Sequence, residues 1–331
     1  MKDLLDKVKA WAASVPGAVK SNKVTFIVAG VVVVLAFVVG CGIGGSGKSA
    51  EVAAAPQLSP EEQAKKDAEA AADAEEAAFN ETLKTVTLEA GIYSIVDGSK
   101  KAEPSNEYQP TDSKMFKYRV LEDGSGLWAE YIGDAAVVYF PKAYEGLTVY
   151  EVSIGNTKKW TDRKDPLQIK MPNTVKVIHC MNKNVKAIDS IDIPSSVGSI
   201  DEGAFAGLEI KDIALPTTTK LGDSLFKNCK FTKINWVFPV IPSSTFSGNR
   251  KLATVTFTDN LKKIGSYAFN NCVELTAING LPSTVIFESD KDQDDCQFKN
   301  VEKLSLATEA QIKAIYAGNK NKHYDKEFPW H

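Results

Sequence analysis

A spacing of 21 to 23 residues governs the second half of this sequence. Apolar pairs recur at Ile169/Met171, Ile191/Ile193, Ile213/Leu215, Ile234/Trp236 and Val255/Phe257; Ile278 opens a sixth turn and Leu304/Leu306 a possible seventh. A second apolar ladder follows at Ile178, Ile200, Leu221, Ile241, Ile264 and Phe287, and a third at Phe205, Phe226, Phe246 and Phe269. Three ladders at one period describe a coil with three inward corners, each turn burying its apolar face only against its neighbours.

The period suits leucine-rich repeats. IDIPSSVGSIDEGAF (191–205), IALPTTTKLGDSLFKNC (213–229) and LKKIGSYAFNNC (261–272) resemble the BspA-type leucine-rich repeat of bacterial surface proteins, and residues 115–155 are similar to the module that often precedes such repeats. The likeness covers residues 115 to 306. It implies a mainly β, right-handed solenoid with a parallel sheet on its concave face, and adhesion to host matrix or cell-surface proteins as a function. The module at 115–155 is expected to be a small antiparallel cap over the first coil, because an uncovered coil exposes its core and strand edge. The solenoid proper should occupy 156–306. Thr308, with Gln311 three residues later, is a capping-box candidate for a short helix ending near Gly318, in a C-terminal cap and tail spanning 307–331.

The amino-terminal third has a different character. Residues 1–23 hold five Lys and two Asp, and residues 24–43 are uncharged and apolar. Twenty residues at 1.5 Å each span a hydrocarbon core of about 30 Å, so a transmembrane or signal-anchor helix is expected, with the basic segment cytoplasmic and the rest of the chain extracytoplasmic, at the cell surface or in the periplasm. VVGC (38–41) also resembles a loose lipobox, which makes Cys41 a lipidation candidate; an uncleaved span and a lipoprotein both fit. A Gly/Ser-rich tether (44–58) leads to an Ala/Glu-rich helical stalk (59–84), with Ser59 as cap, Pro60 at the first helical position and Glu62 closing the box. Ten acidic and three basic residues between Glu51 and Glu89 should hold it off an anionic membrane surface. Residues 85–114 read as one or two strands around Gly91, a turn at Asp97-Gly98, and a polar loop without an evident role.

Within a strand, residues i and i+2 face the same way. If the apolar pairs point inward, Lys170, Asp192, Ala214, Asn235, Thr256 and Asn279 form an exposed row on the concave face, about 24 Å long at strand spacing, and this row is the candidate protein-binding surface. Trp236 is placed inward by the same register. Pro239 and Pro242 mark the coil where the solenoid should bend or bulge. A net charge of −3 gives no reason to expect nucleic acid. His179 and Cys180 lack companions at metal-ligand spacing, the acidic loop at Asp290, Asp292, Asp294 and Asp295 lacks the glycine and glutamate of a calcium-binding loop, and no nucleophile elbow appears. No cofactor, metal or enzymatic activity is therefore expected. Cys229 and Cys272 should be buried thiols two coils apart; a Cys272–Cys296 disulfide is conceivable outside the cell.

Overall fold

The computed structural model describes residues 25–28, 31–34, 59–155, 166–181, 185–288 and 296–318. The basic segment, Cys41, the tether, the acidic loop at 290–295 and the tail beyond 318 lie outside the described residues. Two compact units are distinguished, Met1–Ala64 and Lys65–His331.

In the first unit the apolar run departs from expectation. It contributes Thr25–Val28 and Val31–Val34, paired antiparallel with Thr25 opposite Val34, where a helix was predicted. Phe26 aside, every one of these residues is branched at Cβ, which favours the strand over the helix. Among the described residues no helix is long and apolar enough to cross a membrane. The acidic helix Pro60–Leu83 opens on the predicted reciprocal cap: Glu62 N–H donates to Ser59 Oγ (3.2 Å) and Ser59 N–H to Glu62 Oε2 (2.9 Å). No residue of this helix is buried.

The second unit contains a β-solenoid of about six turns with parallel sheets. Front strands Val137–Tyr139, Leu167–Lys170, Ala187–Asp192 and Glu209–Ile210 form one sheet, and Lys233–Trp236, Thr254–Phe257 and Ala277–Asn279 another. Rear strands pair in step, from Leu147–Ile154 through Lys220–Leu221 and again from Val240–Ile241 through Ile286–Phe287. Every predicted front pair from Ile169/Met171 to Val255/Phe257 is buried, Trp236 completely. The preceding module is mixed rather than antiparallel. Phe116–Val120 and Leu127–Tyr131 form a hairpin, but Leu127–Tyr131 runs parallel to Leu147–Ile154, so the module supplies the first strands of both sheets.

The third ladder is the most regular part. Phe205, Phe226, Phe246 and Phe269 are fully buried and stack at 5.7, 5.9 and 5.5 Å, and Phe298, which the sequence reading left out, continues the stack at 5.3 Å. In each turn alternate backbone N–H groups cross to the next coil, for example Ser224 to Ser243 O, Phe226 to Thr245 O and Asn228 to Ser247 O. Aiming them there requires left-handed residues two before and two after the phenylalanine: Gly203 and Gly207, Ser224 and Asn228, Ser244 and Gly248, Tyr267 and Asn271. At the third place after the phenylalanine, Cys229 Sγ, Asn249 Nδ2 and Cys272 Sγ donate to the carbonyls of Phe205, Phe226 and Phe246, one coil back. Cys272 is therefore not in a disulfide, and Cys296 Sγ sits 3.3 Å from Tyr316 Oη.

Both sheets are interrupted between the third and fourth coils, where the prolines lie. Elsewhere the residue after each rear-ladder residue donates its N–H one coil back: His179 to Val152 O, Asp201 to Ile178 O, Gly222 to Ile200 O, Gly265 to Ile241 O and Glu288 to Ile264 O. Pro242 holds that place after Ile241 and has no N–H. Pro239 stands two before Ile241, where Lys176, Gly198 and Lys262 donate in their own coils. The wall of phenylalanine turns carries on through this coil, and Asp223 Oδ1 accepts the Ser243 N–H (3.0 Å) across the break.

At the carboxyl end the helix Leu306–Gly318 is capped by Ser305, whose Oγ accepts the Thr308 N–H (3.2 Å). The predicted cap Thr308 thus lies inside the first turn, Gln311 instead donates to Leu281 O, and Leu306 is 84% exposed rather than the second member of a seventh pair. The closer fit of Ser305 to the cap explains the three-residue shift.

Phe269→Ala, which removes a ring held between Phe246 and Phe298, should lower unfolding free energy in denaturant by about 3–5 kcal/mol. Burial pushes the Cys229 and Cys272 thiols up to about 12. Because the folded values lie above the unfolded one, the neutral thiols stabilise the fold below an ordinary thiol pKa of about 8.5, and this contribution is lost as pH rises from there towards about 12. Maleimide labelling in the native state should leave both thiols unmodified, whereas denatured protein should react at both.

Candidate functional site

The six residues of the predicted row do not form one uninterrupted line. Lys170 and Asp192 are register partners joined by an ion pair (3.1 Å), half-exposed on both sides. Asn235, Thr256 and Asn279 are register partners in the second front sheet. Between the groups the chain places another of its own segments. Ile92–Ser94 runs antiparallel to Ala214–Pro216, with Ala214 opposite Ser94, and turns back as Lys100–Lys101. The Ile95 N–H donates to Ile213 O (3.0 Å), and Ile95 O accepts the Asn235 N–H (2.8 Å), so this one residue bridges the interruption of the front sheet.

The hairpin is built for that position. Ile92, Ser94 and Ile95 are buried; Ser94 Oγ donates to Asp212 Oδ1 (2.6 Å) and accepts the N–H groups of Val96 and Asp97 (3.1 Å each). Hydrogen bonds from the Ser99 hydroxyl and N–H, with a smaller pull from Ser94 and Lys101, hold the Asp97 carboxyl well below the usual carboxylate range. That contribution is present at neutral pH and is lost as pH falls below the ordinary Asp value of about 4. Gly98 lies at φ 72°, and a Cβ there would stand 2.9 Å from Asn235 Cγ and Nδ2; the same Asn235 Nδ2 donates to Asp97 O (3.1 Å). Asn235 is thus committed to the hairpin turn.

The flanking residues continue as a strap over the turns that follow the front strands. Thr87 N–H donates to Asn260 Oδ1 (3.0 Å), Gly91 O accepts the Thr217 N–H (2.9 Å), Glu103 Oε1 accepts the Ser195 N–H (2.9 Å) and Asn106 Oδ1 the Asn173 N–H (2.7 Å). Tyr108 donates to Phe140 O (3.2 Å); burial, and secondarily the Asp192 charge, push its phenol well above the ordinary range. The loop whose role the sequence left open therefore ties two repeat coils and the amino-terminal module together, and Thr87 and Gly91, before the hairpin, extend the strap to two more coils. Alternation in 92–96 and the Asp-Gly turn signalled a hairpin, but nothing in them named its partner 120 residues away.

Two further features stand out. His179 is bracketed by Asp201 Oδ2 at Nδ1 (2.5 Å) and Glu151 Oε2 at Nε2 (2.7 Å), with the Trp128 ring 4.4 Å away. Its companions come from neighbouring rear strands, which is why local spacing hid them. Among the described residues no group of three or more His, Cys, Asp or Glu could hold a metal ion. Beside the hairpin turn, the interrupted front sheet leaves an open cavity of about 640 Å³ with Ile188, Ile210 and Phe231 at its base and lysines around it.

The family model of the BspA type leucine rich repeat region matches residues 168–304 in six copies. This repeat region belongs to the BspA-type leucine-rich-repeat family. Among solved structures, a leucine-rich-repeat protein from T. pallidum is similar at 22% identity over 62% of this chain and 96% of that one, with a TM-score of 0.44. A leucine-rich-repeat protein from Bacteroides ovatus is similar at 23% identity over 56% of this chain and 57% of that one, with a TM-score of 0.37. No curated protein matches the chain.

Gly98→Ala should loosen the hairpin, because the new methyl meets the Asn235 amide at a left-handed position. Hydrogen exchange should accelerate at residues 92–101 and at Asn235, while the amides of the phenylalanine turns keep their protection.

Proposed function

We propose that this BspA-type chain is a non-enzymatic protein-binding module held on the extracytoplasmic face of a membrane and serving adhesion. The observation that carries the reading is the second front sheet, where Thr256 and Asn279 stand in register beside Asn235, which holds the hairpin turn, and the neighbours of Thr256, Val255 and Phe257, are spent on the core. Such a surface offers polar side chains at fixed spacing without any catalytic constellation. Lys170, Asp192 and Ala214 extend it on the other side of the hairpin.

Attachment through residues 24–43 follows from their composition. A two-stranded unit keeps unpaired edges that hydrocarbon cannot satisfy, so entry of this stretch into a bilayer converts it to a helix, either as a lasting span or as the signal segment before a lipidated Cys41. The helix Pro60–Leu83, at about 1.5 Å per residue, then acts as a spacer of roughly 36 Å.

The test is capture of binding proteins by the full chain in detergent, followed by Asp192→Lys and Thr256→Arg. Loss of capture by either variant with unchanged thermal unfolding is the expected result; unchanged capture by both would remove the front face from consideration. Protease treatment of intact cells should release the repeats, and protection until permeabilisation would replace adhesion by binding to a partner within the same envelope. Cys41→Ala with unaltered mass and membrane partition would leave the uncleaved span as the anchor.

A further inference from the structure

The gap between the third and fourth coils is filled from one side only. The hairpin turn enters beside Ile213 and Asn235, which lie towards the carboxyl ends of the front strands. On the amino-terminal side Glu209–Ile210 ends one front sheet and Lys233–Trp236 begins the other. Among the described residues no backbone hydrogen bond crosses from 209–211 to 231–233. What remains is the open cavity of about 640 Å³, bounded by Val96 of the hairpin turn and based on Ile188, Ile210 and Phe231.

Its rim is basic. Lys211, Lys230, Lys233 and Lys251 surround it against Asp189 and Glu209. Lys230 pairs with Glu209 and Lys211 lies 3.6 Å from Asp189, so both rim acids are already matched. Lys233 and Lys251 are exposed and have no ion pair among the described residues. Two facing strand edges, an apolar base and an excess of positive charge specify an occupant: an extended chain that supplies backbone groups to the edges, apolar side chains to the base and carboxylates to the rim.

We propose that this half of the gap binds an acidic, extended segment of a partner protein, which pairs as a strand along the edge of Glu209–Lys211 and continues the line that Ile95 begins. The chain itself provides the precedent, since Ile92–Ile95 occupies the adjoining half of the same gap as an added strand. The inference rests on the protein-binding reading above and adds to it a place and a chemistry.

The probe is a fluorescein-labelled ten-residue peptide of alternating Glu and Val, titrated into the full chain in detergent and read by anisotropy. Its controls are the Lys/Val counterpart and a version with proline at alternate positions, which keeps its Glu residues but cannot pair as a strand. Binding of the Glu/Val peptide alone is expected, weakened about tenfold or more by Lys233→Glu with Lys251→Glu, both exposed positions whose exchange should leave thermal unfolding unchanged. Equal binding of the proline peptide would overturn strand pairing and leave a general polyanion site; no binding of any peptide, or an unaffected double variant, would overturn the site altogether. If the full chain captures a protein partner that the double variant retains, the protein-binding reading stands and this site alone falls.

Discussion

Each coil of this solenoid is tied to the one before it by backbone N–H groups, and one coil has given up two of the usual donor positions to proline. Pro239 and Pro242 occupy places from which neighbouring coils reach back. A buried backbone donor normally finds a partner, so a coil that lacks the donor cannot close against its neighbour in the usual register. The rear sheet divides there, the front strands part with it, and everything distinctive about the molecule's front surface follows from the resulting gap. The amino-terminal hairpin has a slot to fill, Asn235 has a neighbour in Asp97, and the cavity beside them stays open.

The coil does not come apart because its third side is intact. Stacked rings from Phe205 to Phe298 and the alternating N–H bonds between their turns run past the prolines without interruption. That side tolerates the change because the donors that cross to the proline-bearing coil, Ser224, Phe226 and Asn228, belong to the coil before it, and at this junction the proline-bearing coil supplies only the accepting carbonyls of Ser243, Thr245 and Ser247. Strain at the left-handed positions is kept low by Gly203, Gly207, Asn228, Gly248 and Asn271, with Ser224, Ser244 and Tyr267 the costlier exceptions. A solenoid with three bonded sides can lose two of them at one place and remain continuous.

Most of the repeat region was legible in the sequence because its information is local and redundant. The three ladders share one period, which by itself assigns Ile169, Trp236 and Phe269 inward. Phe298 escaped because the turn to it from Phe269 is longer than the others. The helix Pro60–Leu83 carried a reciprocal cap readable within four residues, whereas at the carboxyl end Ser305 and Thr308 offered competing caps and the wrong one was favoured. The apolar run at 24–43 has the length of a membrane span and the branching of a strand, two signals that point apart. The candidate surface was the least legible part. Lys170 pairs with Asp192 in one sheet and Asn235 with Thr256 in the other, yet the segment dividing the row comes from Ile92 to Gly98, and pairing across more than a hundred residues leaves no periodic trace.

The strap has a consequence for the order of assembly. Repeat coils can fold as each acquires a neighbour, so their closure entropy is paid in small instalments of about twenty residues. The contacts from Thr87 to Asn260, Gly91 to Thr217 and Asn235 to Asp97 bridge separations of 173, 126 and 138 residues. During synthesis the strap emerges first and waits until the fourth and later coils exist before its slot is formed. Asn106 and Glu103 can dock on the first two coils as these appear, but in a molecule otherwise governed by nearest neighbours the front is sealed only once the later coils are in place.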